Sequence, residues 1–575
     1  MKRERESTPA ARAARAEPAH TSKAKPAKSK KSAKPAKPAK APAAAKSRAT
    51  AKPAKAPAAA KSRATAKPAK TPTAAKSRAT AKPAKAPTAA KSRATAKPAK
   101  SRKSAKPATH DTANPPALLA FMTRDWKARS AGLPGPIAHA EAFRARRRKL
   151  SEAFAGECLV IPTGHEKVRA NDTHYRFRPH TEFFYFTGNH EPDCVLVLEP
   201  TAKGHRDVLY VEPNPGKTDA TFFTDRAKGE LWVGPRLGVP ESRARFAVDE
   251  ARPLSELPAY LAKLKPAKVR VLRGVSERVD RAVKGDASRD AALATTASEM
   301  RLRKEPLEVR ELRESIASTR RGFEDVIARL ESGRSEREVE GIFNLRARVE
   351  GNDVGYGTIA AAGCHACTLH WTRNDGPLEK GELLLLDAGV EGRSLYTADI
   401  TRTLPVSGRF TAPQREVYSL VDRARVEAMR EVKPGNDFLA PNRAAMRVLT
   451  EGLVAMGILK CSVEEALDER NMFYKRYTLH NVSHMLGLDV HDCARARMES
   501  YKFGKLESGM VLTVEPGLYF QTDDLTVPAK YRGIGVRIED DVLVTARGYD
   551  NLSRDIPTSA DAVEAWMASV WSSNR

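Results

Sequence analysis

Four acidic residues stand where this chain otherwise reads as core. Asp387 ends the run LLLLD, Asp399 lies in YTADITRT, Glu515 in VLTVEPGLY and Glu539 in GVRIEDDVLV. Apolar runs of that kind bury themselves as strands. An ionised carboxylate in an apolar layer is costly unless it is paired or bound to a cation, so a fold that accepts all four must bring compensating charge to them. With His484, in the stretch HNVSHMLGLDVHD, they make five potential metal ligands in the C-terminal half, enough to hold two divalent cations side by side.

Taken alone, an Asp that closes a strand is ordinarily a turn residue or a helix cap. The set is harder to explain that way. Oxygen-dominated coordination with one imidazole and no thiolate suits Mn²⁺ or Mg²⁺ better than a structural zinc, and Mn²⁺ is the expected metal. A carboxylate-bridged pair of such ions activates water and offsets charge developing on a carbonyl oxygen, which is the chemistry of hydrolysis. Cys364 and Cys367 have the C-x-x-C spacing of a zinc or redox pair. No second pair accompanies them, so they are read as ordinary small core residues.

The segments LLLLDAGV, YTADITRT, HNVSHMLGLDVHD, VLTVEPGLY and YRGIGVRIEDD follow one another in the order and approximate spacing of the pita-bread metallopeptidases. Residues 115–557 most resemble Xaa-Pro aminopeptidase (aminopeptidase P), and five ordered motifs are far more specific than one. The resemblance implies that Asp387 binds one metal, that His484 and Glu515 bind the other, and that Asp399 and Glu539 bridge the two. It also implies proton transfer and carbonyl contact by His370 and His491, with Glu515 as an alternative proton acceptor, and a place near the substrate for His480. One departure is that Asp399 lies twelve positions after Asp387, one more than in many members, which a hairpin loop can absorb. Arg537 lies two residues before Glu539, so the two-residue period of a strand places both on one face and makes Arg537 a candidate to orient that carboxylate and, with His480, a candidate substrate-binding residue. Tyr356 and Tyr519 are candidates for the cleft wall.

The remaining chain divides by composition. Residues 1–110 hold 32 Lys and Arg against 3 Glu, a net of +29 within a whole-chain charge of +30, which leaves +1 for the rest. A fifteen-residue unit recurs there from Ser47 (SRATAKPAKAPAAAK), Ser62, Ser77 and, degraded, Ser92. With regular Pro, no aromatic residue and no large apolar residue after Met1, residues 1–112 are expected to be a disordered basic tail. Such a tail would bind nucleic acid or polyphosphate without reading bases, or serve as a solvated spacer. No apolar stretch long enough for an export signal or a membrane span occurs, and six cysteines without a repeated spacing fit a reducing compartment. Placement is therefore expected in the cytoplasm, with the nucleoid as the place to which the tail would bring the protein.

After the tail, a mixed α/β fold is expected in two parts: a smaller, creatinase-like α/β domain over 113–295, and a pita-bread catalytic domain over 296–575. The first opens on the helical HAEAFRARRRKLSEAF and alternates with the strands ECLVIPTG, DCVLVLEP, RDVLYVEP and KVRVLRG. Its motif NDTHYRFRPHTEFFYFTGNHEPD resembles the aminopeptidase P N-terminal domain, which methionine aminopeptidases normally lack. The resemblance implies a homo-oligomer, a substrate-side tryptophan at Trp232, for which packing in an interdomain seam is the alternative, and an ammonium-holding acid at Glu182. In the second part, apolar residues at helical spacing predict helices in LRLRKEPLEVRELRESIASTRRGFEDVIARL, SEREVEGIFNLRARVE, PQREVYSLVDRARVEAMREV and SADAVEAWMASVW, outside a curved antiparallel sheet. The chain is thus expected to be a two-metal exopeptidase for peptides with proline second. Alternatives are prolidase, a pita-bread nucleic-acid- or histone-binding protein, which would have lost the ligands, and creatinase-like chemistry, which needs none of them.

Overall fold

The computed structural model describes residues 113–127 and 132–573; the basic tail expected over 1–112 lies outside the described residues. The helix α1 (Ala140–Ala153) leads into a five-stranded mixed sheet of β1 (Cys158–Pro162), β2 (Val195–Thr201), β3 (Gly204–Val211), β4 (Glu250–Pro253) and β5 (Val269–Val271), in the order β4-β3-β2-β1-β5. The β1/β5 and β3/β4 pairs are parallel and the others antiparallel. Alternate residues of β1 face opposite layers, as the two-residue period requires. Leu159 and Ile161 join the main core, and Cys158 and Val160 join a second cluster with Leu257 and Val279. Both faces are covered, so these strands read as continuous apolar runs. Between β1 and β2 lies α2 (Thr181–Thr187), formed by the sequence TEFFYFT.

In the C-terminal part, the expected helices form α3 (Pro306–Ala328), α4 (Glu336–Glu350), α5 (Ala412–Arg430) and α7 (Ala560–Ser573), with α6 (Ala440–Ala455) packed against α5. Their starts are set by local chemistry: Glu305 with Glu308, Ser335 with Glu338, and Thr411 with Gln414 each form a reciprocal cap that satisfies first-turn N–H groups. The helices surround strands β6 (Ile359–Ala362), β7 (Leu383–Ala388), β8 (Ile400–Pro405), β9 (Val511–Val514), β10 (Gly517–Tyr519), β11 (Gly535–Arg537), β12 (Asp540–Val544) and β13 (Tyr549–Asn551). These strands form a β8-β7-β6 sheet, a β9-β12-β13 sheet and a β10-β11 ribbon, all antiparallel. The sheets meet where the Glu539 N–H donates to the Thr401 carbonyl at 3.1 Å. One apolar core runs from Leu159 and Leu196 through Leu312 and Phe323 to Leu386 and Val514.

Beneath this junction Asp540, wholly buried, pairs with Arg402 and Arg425, each at 2.8 Å, and accepts from the Ser553 hydroxyl at 2.9 Å. Among the described residues no helix is long and apolar enough to cross a membrane.

Candidate metal centre and active site

Strand ends position the acids. Asp387 lies within β7 opposite Thr401, and the pairing of Ala388 with Ile400 puts Asp399 just before β8. The longer 387–399 connection is thus taken up without disturbing the register. Glu515 follows β9, and Glu539 precedes β12. Only Asp387 is inside a strand, which corrects the expectation of four strand-borne acids. At a strand end the backbone leaves the ladder, and side chains from different sheets can converge there. His484 comes from an irregular segment held to β9: the Thr513 N–H donates to the His484 carbonyl at 3.0 Å.

Together these five side chains line a cavity of about 550 Å³ with His370, His480 and His491. Donor atoms of Asp399, His484 and Glu539 all lie within 4.8 Å of one another. His484 Nε2 is 3.3 Å from Asp399 and 3.6 Å from Glu515. The Tyr356 hydroxyl reaches both Asp387, at 2.7 Å, and Asp399, at 2.5 Å. It is therefore a polar member of the acid cluster as well as a wall residue.

The electrostatics show what the cluster lacks. Burial outweighs the opposing His484 and Arg537 charges and, helped by Asp399 and Asp387, pushes Glu515 up to about 7; burial and then the surrounding carboxylates push Glu539 well above the usual carboxylate range. Burial opposes a charge on His484, but the Asp399 hydrogen bond and the Glu515 and Asp399 charges outweigh it and hold the imidazole at about 9. Against four acids the protein supplies Arg537 and this one imidazolium. A fifth acid, Asp541, is also wholly buried; one oxygen accepts from the Asp399 N–H at 3.1 Å and the other meets no hydrogen-bond partner. Excess buried negative charge on oxygen donors plus one imidazole fits divalent cations.

The expected partner of Arg537 changes. Arg537 does not touch Glu539. Its guanidinium pairs with Asp387 at 2.5 Å and donates to the hydroxyls of Tyr519 at 2.9 Å and Thr401 at 3.2 Å; Thr401 in turn donates to Glu539 at 2.7 Å. His480 has both ring nitrogens engaged, Nδ1 with the Asn481 carbonyl at 3.0 Å and Nε2 with the Tyr519 hydroxyl at 2.8 Å. Burial and the Arg537 charge lower it to about 4, so it lines the cavity as a neutral ring. Tyr519 stands behind the wall as the link between Arg537 and His480. His491 packs edge-on to His484 at 4.3 Å between ring centres, and burial followed by the His484 charge holds it below the ordinary imidazole range.

Glu182 is outside the cavity and is not available to a substrate ammonium group. It is 5% exposed, 2.8 Å from His180 and 3.3 Å from Arg301. Burial alone would raise its pKa, but these two partners bring it to about 2. Trp232, 50% exposed, neither lines this chain's cavity nor fills an interdomain seam; its indole N–H donates to the Phe223 carbonyl at 2.8 Å. Thr401 and Asp541 were not singled out from the sequence, although ITRT and EDD place each two residues from a ligand. Cys364 is exposed and Cys367 buried, and both are free.

Residues 310–546 match the metallopeptidase family M24, and residues 143–272 match the aminopeptidase P N-terminal domain. Xaa-Pro aminopeptidase 1 of Streptomyces coelicolor is 51% identical over 441 residues, covering 76% of this chain and 88% of the relative. Aminopeptidase P from Escherichia coli with the inhibitor Pro-Leu superposes with a TM-score of 0.67 at 32% identity, over 76% of this chain and 99% of that one. The zinc-substituted form of the E. coli enzyme, in complex with product, superposes equally well, with a TM-score of 0.67, 32% identity and the same coverage. A pita-bread fold with an aminopeptidase P N-terminal domain, bearing a buried acid cluster around His484, assigns the lineage: the chain belongs to the Xaa-Pro aminopeptidase family of M24 metallopeptidases.

Proposed function

We propose that the protein releases the first residue from peptides with proline second, using two divalent cations, most naturally Mn²⁺. The convergence of Asp399, His484 and Glu539 donors within 4.8 Å carries this reading. Asp387 would hold one cation, His484 and Glu515 the other, and Asp399 and Glu539 both. The ions would supply activated water and positive charge for the scissile carbonyl. Around them, Arg537 and Tyr356 hold Asp387 in place, and Thr401 holds Glu539. Exposed in the cavity, His370 can donate to the carbonyl oxygen as charge develops on it, while a neutral His491 or Glu515 takes up a proton. The proline imide has no N–H, so selection falls to cavity shape and to the free ammonium group of the substrate.

The decisive comparison is a tripeptide Xaa-Pro-Xaa against the same peptide with alanine second, and against the dipeptide Xaa-Pro. Release of the first residue from the proline tripeptide at least about tenfold faster than from its alanine twin supports the reading. Cleavage of the dipeptide alone would make the protein a prolidase.

We further read 1–112 as a basic tail, 113–295 as the N-terminal domain and 296–575 as the catalytic domain, in a cytoplasmic homo-oligomer that associates with the nucleoid. In that assembly exposed Trp232 would lie toward a neighbouring subunit's cleft. The +29 charge of residues 1–110 supports non-specific binding to nucleic acid or polyphosphate. Deleting residues 1–110 is expected to leave peptide hydrolysis within about twofold and to abolish DNA retention, which in the full chain falls by about a thousandfold between roughly 50 and 200 mM salt. Retention of DNA by the truncated protein would refute an arm-only interaction.

A further inference from the structure

We propose that Arg178, Thr181 and Glu182 in the N-terminal part, with Arg301, are positioning residues for hydrolysis that act through His491. The inference rests on the function proposed above and extends it to residues outside the cavity. Residues 488–492 carry Val490 and His491 into the cavity wall. This stretch belongs to no helix or strand, and its internal backbone ties are sparse: the Gly487 N–H donates to the Asp489 carbonyl at 3.2 Å and the Asp492 N–H to the Met485 carbonyl at 2.9 Å. Its position is therefore set largely by side chains that reach it from elsewhere.

They reach it on both flanks of His491. Upstream, Arg178 donates to the Leu488 carbonyl at 2.6 Å and pairs with Asp489 at 3.2 Å, while the Thr181 hydroxyl donates to the same Asp489 carboxylate at 2.7 Å. Arg178 is itself anchored by Glu391 at 2.5 Å. Downstream, Asp492 is gripped by Arg301 at 3.0 Å and by Lys304 at 3.2 Å, and Arg301 is braced from behind by Glu182 at 3.3 Å. Arg301, Lys304, Asp492 and Glu182 are all buried, at 3%, 7%, 1% and 5% exposure. Buried ions tolerate little displacement from their partners, because a lost pairing leaves an uncompensated charge. Residues 178–182 thus clamp both sides of one histidine more than 300 positions away in sequence, and Glu182 acts there instead of on the substrate.

Arg178→Gln and Thr181→Val, whose upstream contacts lie nearer the surface than the Arg301 cluster, test this in a double-mutant cycle with His491→Ala. With Mn²⁺ and the proline tripeptide, Arg178→Gln is expected to lower kcat about 10- to 100-fold with KM changed less than about threefold, and Thr181→Val to act in the same direction. Arg178→Lys, which keeps the charge but loses the forked donor geometry, should recover part of the loss. In the His491→Ala background neither change should lower kcat further. Losses that multiply fully in that background, or wild-type kcat in both single variants, overturn the inference while leaving the peptidase reading intact. Should Arg178→Gln fail to fold, the Thr181→Val cycle decides between the same two outcomes. A wild-type protein that fails to cleave the tripeptide would remove the proposed function and this inference with it.

Discussion

Asp399→Ala and Glu539→Ala are each expected to reduce turnover of the proline tripeptide by at least about a thousandfold. Both carboxylates are buried where the β7/β8 and β9/β12 sheets meet, and each would serve two cations, so either loss dismantles the whole centre. A structural role predicts a different pattern. Glu539 is pushed far above the ordinary carboxylate range, chiefly by burial and then by Asp399, so holding its carboxyl group there costs the metal-free protein stability near neutral pH, and removing the group takes that cost away. Stripped Glu539→Ala protein should therefore melt no earlier than stripped parent by more than the loss of the Thr401 hydrogen bond allows, about 1 kcal/mol. Adding Mn²⁺ should raise the melting temperature of the parent, since a ligand bound only by the native state stabilises it, and should leave the variant unmoved. Parental activity in either variant would contradict the assignment.

Asp540→Ala is expected to have the largest effect on stability, about 3–5 kcal/mol, because it leaves the Arg402 and Arg425 guanidinium groups buried without their carboxylate. Arg402 and Asp540 have fully inaccessible side chains. The cost should be visible as a lower midpoint in urea. The pH dependence has a definite sign. Burial would raise the Asp540 pKa, but Arg402 and Arg425 outweigh it and hold the carboxylate below its ordinary value. Its stabilising contribution is therefore fully present above the unfolded pKa of about 4 and is lost as pH falls through the lower folded value. The gap in stability between parent and Asp540→Ala should be constant from about pH 5 to 8 and should narrow below about pH 4. A gap that widens on acidification would show that the ion pairs are not its source.

The motifs that hold the candidate ligands were legible because each combines an apolar run with a misplaced acid, and burial makes that combination conspicuous. Strands such as ECLVIPTG and DCVLVLEP, and helices such as PQREVYSLVDRARVEAMREV, were legible from period and length. The partner choices were not. Period two places Arg537 and Glu539 on one face, but it does not reveal that Asp387, 150 positions earlier, lies closer to the guanidinium. Glu182 reads as an acid near a cleft until the fold brings Arg301 beside it. His480 reads as a histidine near the substrate, and nothing in its motif shows that Tyr519, 39 positions away, and its own neighbour's carbonyl occupy both of its nitrogens. Long-range pairing of polar groups leaves no periodic trace, so it becomes visible only in three dimensions.

The most direct test of the two-cation account is hydrolysis of a fluorogenic Xaa-Pro-containing tripeptide by metal-stripped protein, titrated with Mn²⁺ while bound metal is counted. Stripped protein should show no turnover, and recovery should reach its plateau at two Mn²⁺ per chain. Full turnover by stripped protein, or a plateau reached with no bound metal, would contradict two-cation catalysis.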